Sequence, residues 1–186
     1  MANPVWNRPS SYPTSIPIKS RHVFITGGSS GIGLALAHRA ASEGARVSIL
    51  ARSSDKLDEA KRSIKLATGI EVATDIEVAT FSTDVCDYDA VSKAVDESGT
   101  IDVLIVNQGV FIGEESPEEV KFMIDVNQVG SFNVSKAALP SMKAREGRGP
   151  ASISLVSSQA GRSLSTSQNL EFHSSVSSHF VSSTLD

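Results

Sequence analysis

The sequence has almost none of the residues that stabilise secreted or membrane-embedded proteins. Its 186 residues include one cysteine, Cys86, so no internal disulfide and no cysteine-rich zinc site can form. No apolar run approaches the roughly 18 residues that cross a bilayer, and residues 1–20 contain no apolar core of a secretory signal. We therefore expect a soluble chain from a reducing compartment, without a metal site or a transmembrane segment.

A strong charge of either sign is also absent. The formal net charge is −4, charged residues make up 20% of the chain and hydrophobic residues 40%. This balance gives no general attraction to nucleic-acid phosphates or to anionic lipid surfaces, so a nucleic-acid partner is not expected. The length suits one domain of ordinary size with a sizeable core.

Composition divides the chain into three parts. Residues 1–20 contain four spaced prolines, which oppose both helix and strand, and they are predicted to form a flexible arm. In residues 21–161, short β-rich runs alternate with amphipathic stretches, which is typical of repeated βαβ units. Residues 162–186 are rich in serine and follow neither period. The predicted fold is therefore α/β, a Rossmann-like doubly wound parallel sheet that is incomplete after strand five, and we expect the outer edge of that strand to be open.

The periodicity also places the elements. A four-residue sequence at 71–74 recurs at 77–80, which leaves two registers open for the third strand. Strands are predicted at 22–26, at 46–50, within 71–81, at 103–106 and at 151–157, and helices at 32–43, 54–67, 89–97 and 116–145. Ser116 and Glu119, three residues apart, predict a capping box at the start of the last helix.

A glycine-rich turn, Thr-Gly-Gly-Ser-Ser-Gly-Ile-Gly at 26–33, joins the first strand to the first helix. Glycines allow a tight turn whose backbone N–H groups can approach a pyrophosphate, and the helix N-terminus adds a positive dipole end. An ordinary strand-to-helix turn is the alternative, but the position between strand and helix favours a dinucleotide site. The residues expected to contact the cofactor here are Gly27, Ser29, Ser30, Gly31, Ile32 and Gly33.

The end of the second strand indicates which dinucleotide is bound. Arg52 stands about 20 residues past the glycines, where a carboxylate would bind a ribose hydroxyl and a cation a 2′-phosphate. Lys56 follows it, so NADPH is the expected cofactor. Asp55 could instead bind the ribose hydroxyl, but we interpret it as an N-terminal cap of the next helix. Arg52 as a plain surface charge remains an alternative.

The spacing Gly-x-x-x-Gly-x-Gly after Thr26 resembles that of the short-chain dehydrogenase/reductase family. Four further segments stand where the family has motifs, although two of the four residues at 106–109 differ from its Asn-Asn-Ala-Gly pattern. The resemblance implies adenine contacts for Asp84 and Val85, further cofactor contacts for Asn107 and Gly109, and catalytic roles for Asn127 and Ser157.

Within that family, residues 16–25 and 156–161 look like the plant branch that reduces 3-keto sphingoid bases. The resemblance implies an NADPH-dependent reductase whose substrate is a small molecule, a long-chain 3-keto sphingoid base. It also implies a place at the cytosolic face of the endoplasmic reticulum membrane, or in the cytosol if the chain is complete as it stands.

The family's Tyr-x-x-x-Lys pair is missing. The tyrosines are Tyr12 and Tyr88, and no lysine follows Lys143. Three hypotheses stay open: a catalytically impaired reductase, an NADPH-binding module that pairs with itself or with a full-length relative, and an unstable product without a function. The change of composition at Arg162 is typical of a shifted reading frame or an alternative exon. His173 and His179 are interpreted as solvated side chains, not as substitutes for the tyrosine.

Overall fold

A computed structural model of the chain describes residues 17–68, 77–110, 116–144, 147–157 and 183–185. Strands β1 to β6 are His22–Thr26, Arg46–Ala51, Val78–Ser82, Val103–Val106, Ala151–Leu155 and Ser183–Leu185. Helices α1 to α5 are Gly31–Ser42, Ser54–Thr68, Tyr88–Ser98, Pro117–Ile124 and Gly130–Lys143. A π-helical segment, Asp125–Val129, joins α4 to α5.

The six strands form one sheet in the order β3-β2-β1-β4-β5-β6. Strands β1 to β5 are parallel, and β6 runs antiparallel to β5. The predicted Rossmann-like, doubly wound fold is therefore confirmed. Because β1 pairs with both β2 and β4, the chain reverses its direction across the sheet at this point. The loops that follow β1 and β4 diverge there, which leaves a crevice at the carboxyl ends of the strands.

Side chains of β1 alternate between two hydrophobic cores, one on each face of the sheet. Phe24 packs with residues of α3 and α5, whereas Val23 and Ile25 pack with residues of α1 and α2. All five residues of β1 are buried, as expected of a central strand covered on both faces. Burial of each large apolar side chain contributes roughly 1.5–3 kcal/mol, so these two cores hold the crevice in place.

The structure decides the register that the sequence left open for the third strand, and it differs from the sequence prediction in two other parts. Strand β3 uses the second copy of the repeat, and the first copy lies outside the described residues. The helix predicted at 116–145 contains the π-helical segment, a distortion that periodicity does not reveal. Part of the serine-rich tail, predicted to have no regular structure, forms β6 and covers the edge of β5 that we expected to be open.

Residues 1–16 of the arm predicted at 1–20, and the rest of the tail, also lie outside the described residues. Within the part of the chain that the structure describes, no helix is both long and apolar enough to traverse a bilayer.

Candidate cofactor site

A cleft of about 240 Å³ opens at the carboxyl ends of β1 to β4. It collects loop residues that are far apart in the sequence, because parallel strands place all their carboxyl ends at one edge of the sheet. The predicted cofactor residues that line it are Gly27, Ser29, Ser30, Arg52, Lys56, Asp84, Val85 and Gly109. Gln108, Val110 and Val126 are among the other lining residues.

The glycine-rich turn forms one wall of the cleft. Gly27 and Gly31 have φ angles of +63° and +54°, in the left-handed region that favours glycine. The N–H of Gly27 donates to the carbonyl of Leu50 at 2.8 Å, which fastens the turn to β2. A β-carbon on Gly31 would have no atom within 4 Å, so this residue leaves open space at the start of α1. Ile32, also expected to contact the cofactor, is 64% exposed and does not line the cleft.

The start of α1 is suited to an anion. Ser30 is the N-cap residue, but its side chain makes no capping hydrogen bond, and the first turn has no acidic residue. The free N–H groups at this helix end therefore receive no capping bond from Ser30, and no acidic side chain in the first turn offsets the positive end of the helix dipole. In contrast, α4 starts with the predicted capping box, in which Ser116 and Glu119 bond to each other's backbone N–H groups. A pyrophosphate at the start of α1 would receive the hydrogen bonds that the protein does not supply.

Two cations stand where the cleft meets the end of β2. Arg52 and Lys56 are both exposed, and the Arg52 guanidinium lies 5.9 Å from the centroid of the Phe122 ring. The only carboxylate among the residues that line the cleft is Asp84. Its Oδ1 accepts a hydrogen bond from the N–H of Cys86 at 2.9 Å, so it also holds the turn after β3.

The structure corrects the role predicted for Asp55. The N–H of Lys56 donates to the hydroxyl of Ser53 at 3.4 Å, so Ser53 caps α2 and Asp55 lies in its first turn. Asp55 does not line the cleft. A carboxylate in the first turn still suits the helix dipole.

Asn107 holds the glycine-rich turn from behind. Its backbone N–H donates to the hydroxyl of Thr26 at 3.0 Å, and its side-chain amide donates to the carbonyl of Gly27 at 3.3 Å. The predicted cofactor residue Asn107 is thus placed against Gly27, and it is not among the residues that line the cleft. Gly33 likewise lies under the turn, next to Gly27.

Asn127 lies in the π-helical segment and binds the loop after β4. Its Oδ1 accepts from the N–H of Val110 and its Nδ2 donates to the carbonyl of Val110, both at 2.9 Å. The other expected catalytic residue, Ser157, is half-buried two residues past β5 and outside the lining of the cleft. π-Helical segments are frequent at functional sites, but no sequence period indicated this one.

The Cys86 thiol lies beside the cleft and is exposed. Burial, followed by the Asp84 carboxylate, raises the pKa of the Cys86 thiol to about 11. The thiol is therefore protonated at neutral pH. Among the described residues, no group of histidine, cysteine and carboxylate side chains is placed to hold a metal ion.

Known proteins share this sequence and this fold. The family model for short chain dehydrogenases matches residues 21–170. The chain is 80% identical over 158 residues to 3-dehydrosphinganine reductase TSC10B of Arabidopsis thaliana, a match that covers 83% of this chain and 45% of that protein.

Two solved structures show which cofactors this fold binds elsewhere. Carveol dehydrogenase of Mycobacterium avium in complex with NAD has a TM-score of 0.69 and 28% identity, over 80% of this chain and 58% of that one. L-Sorbose reductase of Gluconobacter frateurii in complex with NADPH and L-sorbose has a TM-score of 0.68 and 30% identity, over 77% and 54%. This chain spans about half the length of the relatives it matches. Its motifs, its sheet order and the family match together show that it belongs to the short-chain dehydrogenase/reductase family.

Proposed function

We propose that the chain binds NADPH in the cleft and belongs to the reductases that convert a long-chain 3-keto sphingoid base to its 3-hydroxy form. The observation that carries the cofactor is the pair of cations, Arg52 and Lys56, at the end of β2 beside the start of α1. The substrate class rests on the 80% identity to a 3-dehydrosphinganine reductase.

In this proposal each part of the cleft binds one part of the cofactor. The free N–H groups at the start of α1 donate to the pyrophosphate, and Gly31 leaves the space for it. Arg52 and Lys56 bind the 2′-phosphate with charge-assisted hydrogen bonds. Asp84 and Val85 would contact the adenine, and Gly109 would let the β4 loop approach the cofactor. When bound, NADPH supplies a hydride for a carbonyl carbon.

We also propose that the chain is catalytically impaired. Ser157 would orient the carbonyl and Asn127 would support the catalytic machinery, but no Tyr-x-x-x-Lys pair is present to protonate the carbonyl oxygen. A positioned general acid typically contributes 10²- to 10⁴-fold in rate. We expect turnover to be reduced at least by this factor.

The second candidate is a cofactor-binding module without chemistry. It is supported by the contrast between a formed cleft and the missing tyrosine–lysine pair. Such a module could associate with a second copy or with a full-length relative, at the cytosolic face of the endoplasmic reticulum if it follows the family.

Calorimetric titration of the folded chain with NADPH and NADH tests the cofactor. We expect heat from both and tighter binding of NADPH. A folded sample that gives no heat would overturn the proposal.

Absorbance at 340 nm during incubation with NADPH and 3-ketosphinganine then separates the two candidates. Slow consumption supports the impaired reductase, binding without consumption supports the module, and consumption at the rate of full-length reductases would refute the impairment.

A pair of serine variants tests the catalytic assignment, provided that consumption is detected. We expect Ser157→Ala to lower the residual rate while leaving the dissociation constant of NADPH unchanged. Ser158→Ala is the matched variant at the adjacent position, and a loss confined to it would move the role from Ser157 to Ser158.

A further inference from the structure

The loop that follows β4 is held at both of its ends. At one end, the hydroxyl of Thr26 accepts hydrogen bonds from the backbone N–H groups of Asn107 and Gln108, at 3.0 and 3.4 Å. At the other end, the side chain of Asn127 binds the N–H and the carbonyl of Val110. Gly109 stands between these two anchors and lines the cleft.

The side chain of Gln108 joins the two anchors. The Thr26 hydroxyl donates to Oε1 of Gln108, and Nε2 of Gln108 donates to the Ser131 hydroxyl at 2.9 Å. The Ser131 hydroxyl then donates to the carbonyl of Asn127 at 2.6 Å. The Thr26 hydroxyl also lies 3.4 Å from the carbonyl of Ile105, but this is the longer contact, so its one proton favours Gln108. The three bonds then run in a single direction from β1 to the π-helical segment.

Gln108 stands in the segment at 106–109 that departs from the family's Asn-Asn-Ala-Gly pattern. An alanine could not reach either Thr26 or Ser131, whereas a glutamine offers one acceptor and two donors. We propose that Gln108 is a positioning residue, which braces the β4 loop between Thr26 and Ser131 and so places Gly109 and Val110 in the wall of the cleft. This inference rests on the proposed function, since the effect we expect is on NADPH binding.

Two physical arguments support the brace. Hydrogen bonds in a directed chain polarise one another, so the loss of one weakens the others. Thr26 is buried and Gln108, Ser131 and Asn127 are half-buried, so a partner left without its bond also costs free energy. Ser131 does not line the cleft, so an effect of its removal on the cofactor must travel through Gln108 or Asn127.

The test is a double-mutant cycle of Gln108→Leu and Ser131→Ala, read by calorimetry with NADPH. Each single variant should weaken NADPH binding by about tenfold, because each removes two of the three hydrogen bonds in the chain. The double variant should bind NADPH about as weakly as the single variant with the lower affinity, because both changes break the same chain of hydrogen bonds. Ser131→Thr, which keeps the hydroxyl, should retain most of the affinity.

Ser141→Ala is the matched control. Ser141 is also a half-buried serine of α5, and its hydroxyl donates to the carbonyl of Ala138 at 3.1 Å, with no link to the cleft. This variant should leave the dissociation constant unchanged. Equal losses in Ser131→Ala and Ser141→Ala, or strictly additive losses in the cycle, would overturn the brace.

Hydrogen exchange of the cofactor-free chain separates this inference from the proposed function. The amides of 107–110 should exchange faster in Ser131→Ala than in Ser141→Ala. If the unaltered chain gives no heat with NADPH, the proposed function fails while the exchange result still decides the brace. Identical protection of these amides in the two variants would overturn it.

Discussion

Gly33 lies so close to Gly27 that a β-carbon on Gly33 would stand 2.2 Å from the carbonyl oxygen of Gly27. No atom lies within 4 Å of the β-carbon that Gly31 would carry. The two glycines therefore serve different purposes. Gly33 lets α1 pack against the turn. Gly31 adopts the left-handed backbone conformation of the turn and leaves open space beside it.

This contrast predicts different results for two alanine substitutions. Gly33→Ala should lower the free energy of unfolding by about 3 kcal/mol, because backbone atoms would have to move apart. Gly31→Ala should cost about 1–2 kcal/mol from its positive φ, but it should remove most of the affinity for NADPH. Urea unfolding and calorimetry measure the two effects. Unchanged binding by Gly31→Ala would show that the cofactor does not approach this residue.

Arg52→Asp should weaken NADPH binding by roughly 10- to 100-fold and NADH binding by less than about threefold, because only NADPH carries the 2′-phosphate that loses a charge-assisted bond. Competition titrations with the two nucleotides measure the ratio of their dissociation constants. Arg62→Asp makes the same change of charge at an exposed position of α2 outside the cleft, and it should affect neither. Equal losses of both nucleotides in Arg52→Asp would show that Arg52 does not recognise the phosphate.

Asn127→Asp should lower the free energy of unfolding by about 2 kcal/mol at pH 7. The carboxylate can still accept from the N–H of Val110, but it has no donor for the carbonyl of Val110. The deficit should shrink below about pH 4, where the protonated carboxyl regains a donor. Denaturant unfolding of the variant and of the wild-type chain, at pH 7 and below about pH 4, measures this difference in the free energy of unfolding. A deficit that does not depend on pH would contradict this account of Asn127.

His22 is the first residue of β1, at the end of the strand opposite the cleft, and it is 1% exposed. Its Nδ1 lies 2.9 Å from the carbonyl of Thr100, and its Nε2 lies 2.8 Å from the hydroxyl of Ser48. Burial, aided by the nearby Arg46 guanidinium, lowers the pKa of His22 to about 4. The bond to Thr100 and the charges of Asp102 and Glu77 act in the opposite direction and are outweighed.

Stability should therefore depend on pH between about 6.5 and 4. In this window the unfolded chain binds a proton at His22 and the folded chain does not, so the free energy of unfolding falls as the pH falls, by about 3 kcal/mol in all. The full contribution is present above the unfolded pKa. Urea unfolding across this range measures the slope, which should flatten in His22→Gln but not in His38→Gln. Equal slopes in the two variants would assign the dependence to other groups.

Local patterns predicted much of the frame. The strands at 22–26 and 103–106 were predicted to the residue, because each contains an unbroken apolar run, at 23–25 and at 103–106, which is typical of a buried strand in a parallel sheet. The capping box of α4 was predicted because Ser116 and Glu119 meet within one turn of helix. The glycine-rich turn was recognisable because a positive φ and a close backbone approach both depend on the glycine itself.

The arrangement of the site was harder to predict. The cap of α2 was assigned to Asp55 although Ser53 supplies it, because both residues are good caps and only the position of the helix start distinguishes them. Gln108 was noticed only as a departure from a motif, and Ser131 was not noticed at all. Their bond joins the loop after β4 to α5, and the approach of the two depends on how α5 packs against the sheet.

The sequence alone determined the α/β alternation, the strand-to-helix turn and the cations at the end of β2, since each depends on residues that are neighbours in the chain. Tertiary structure decided which of these residues share one cleft, how Asn127 holds Val110, and that a strand from the tail pairs with β5. The physical reason is that a hydrogen bond or an ion site between distant segments exists only after strand order and helix packing have brought its two halves within reach.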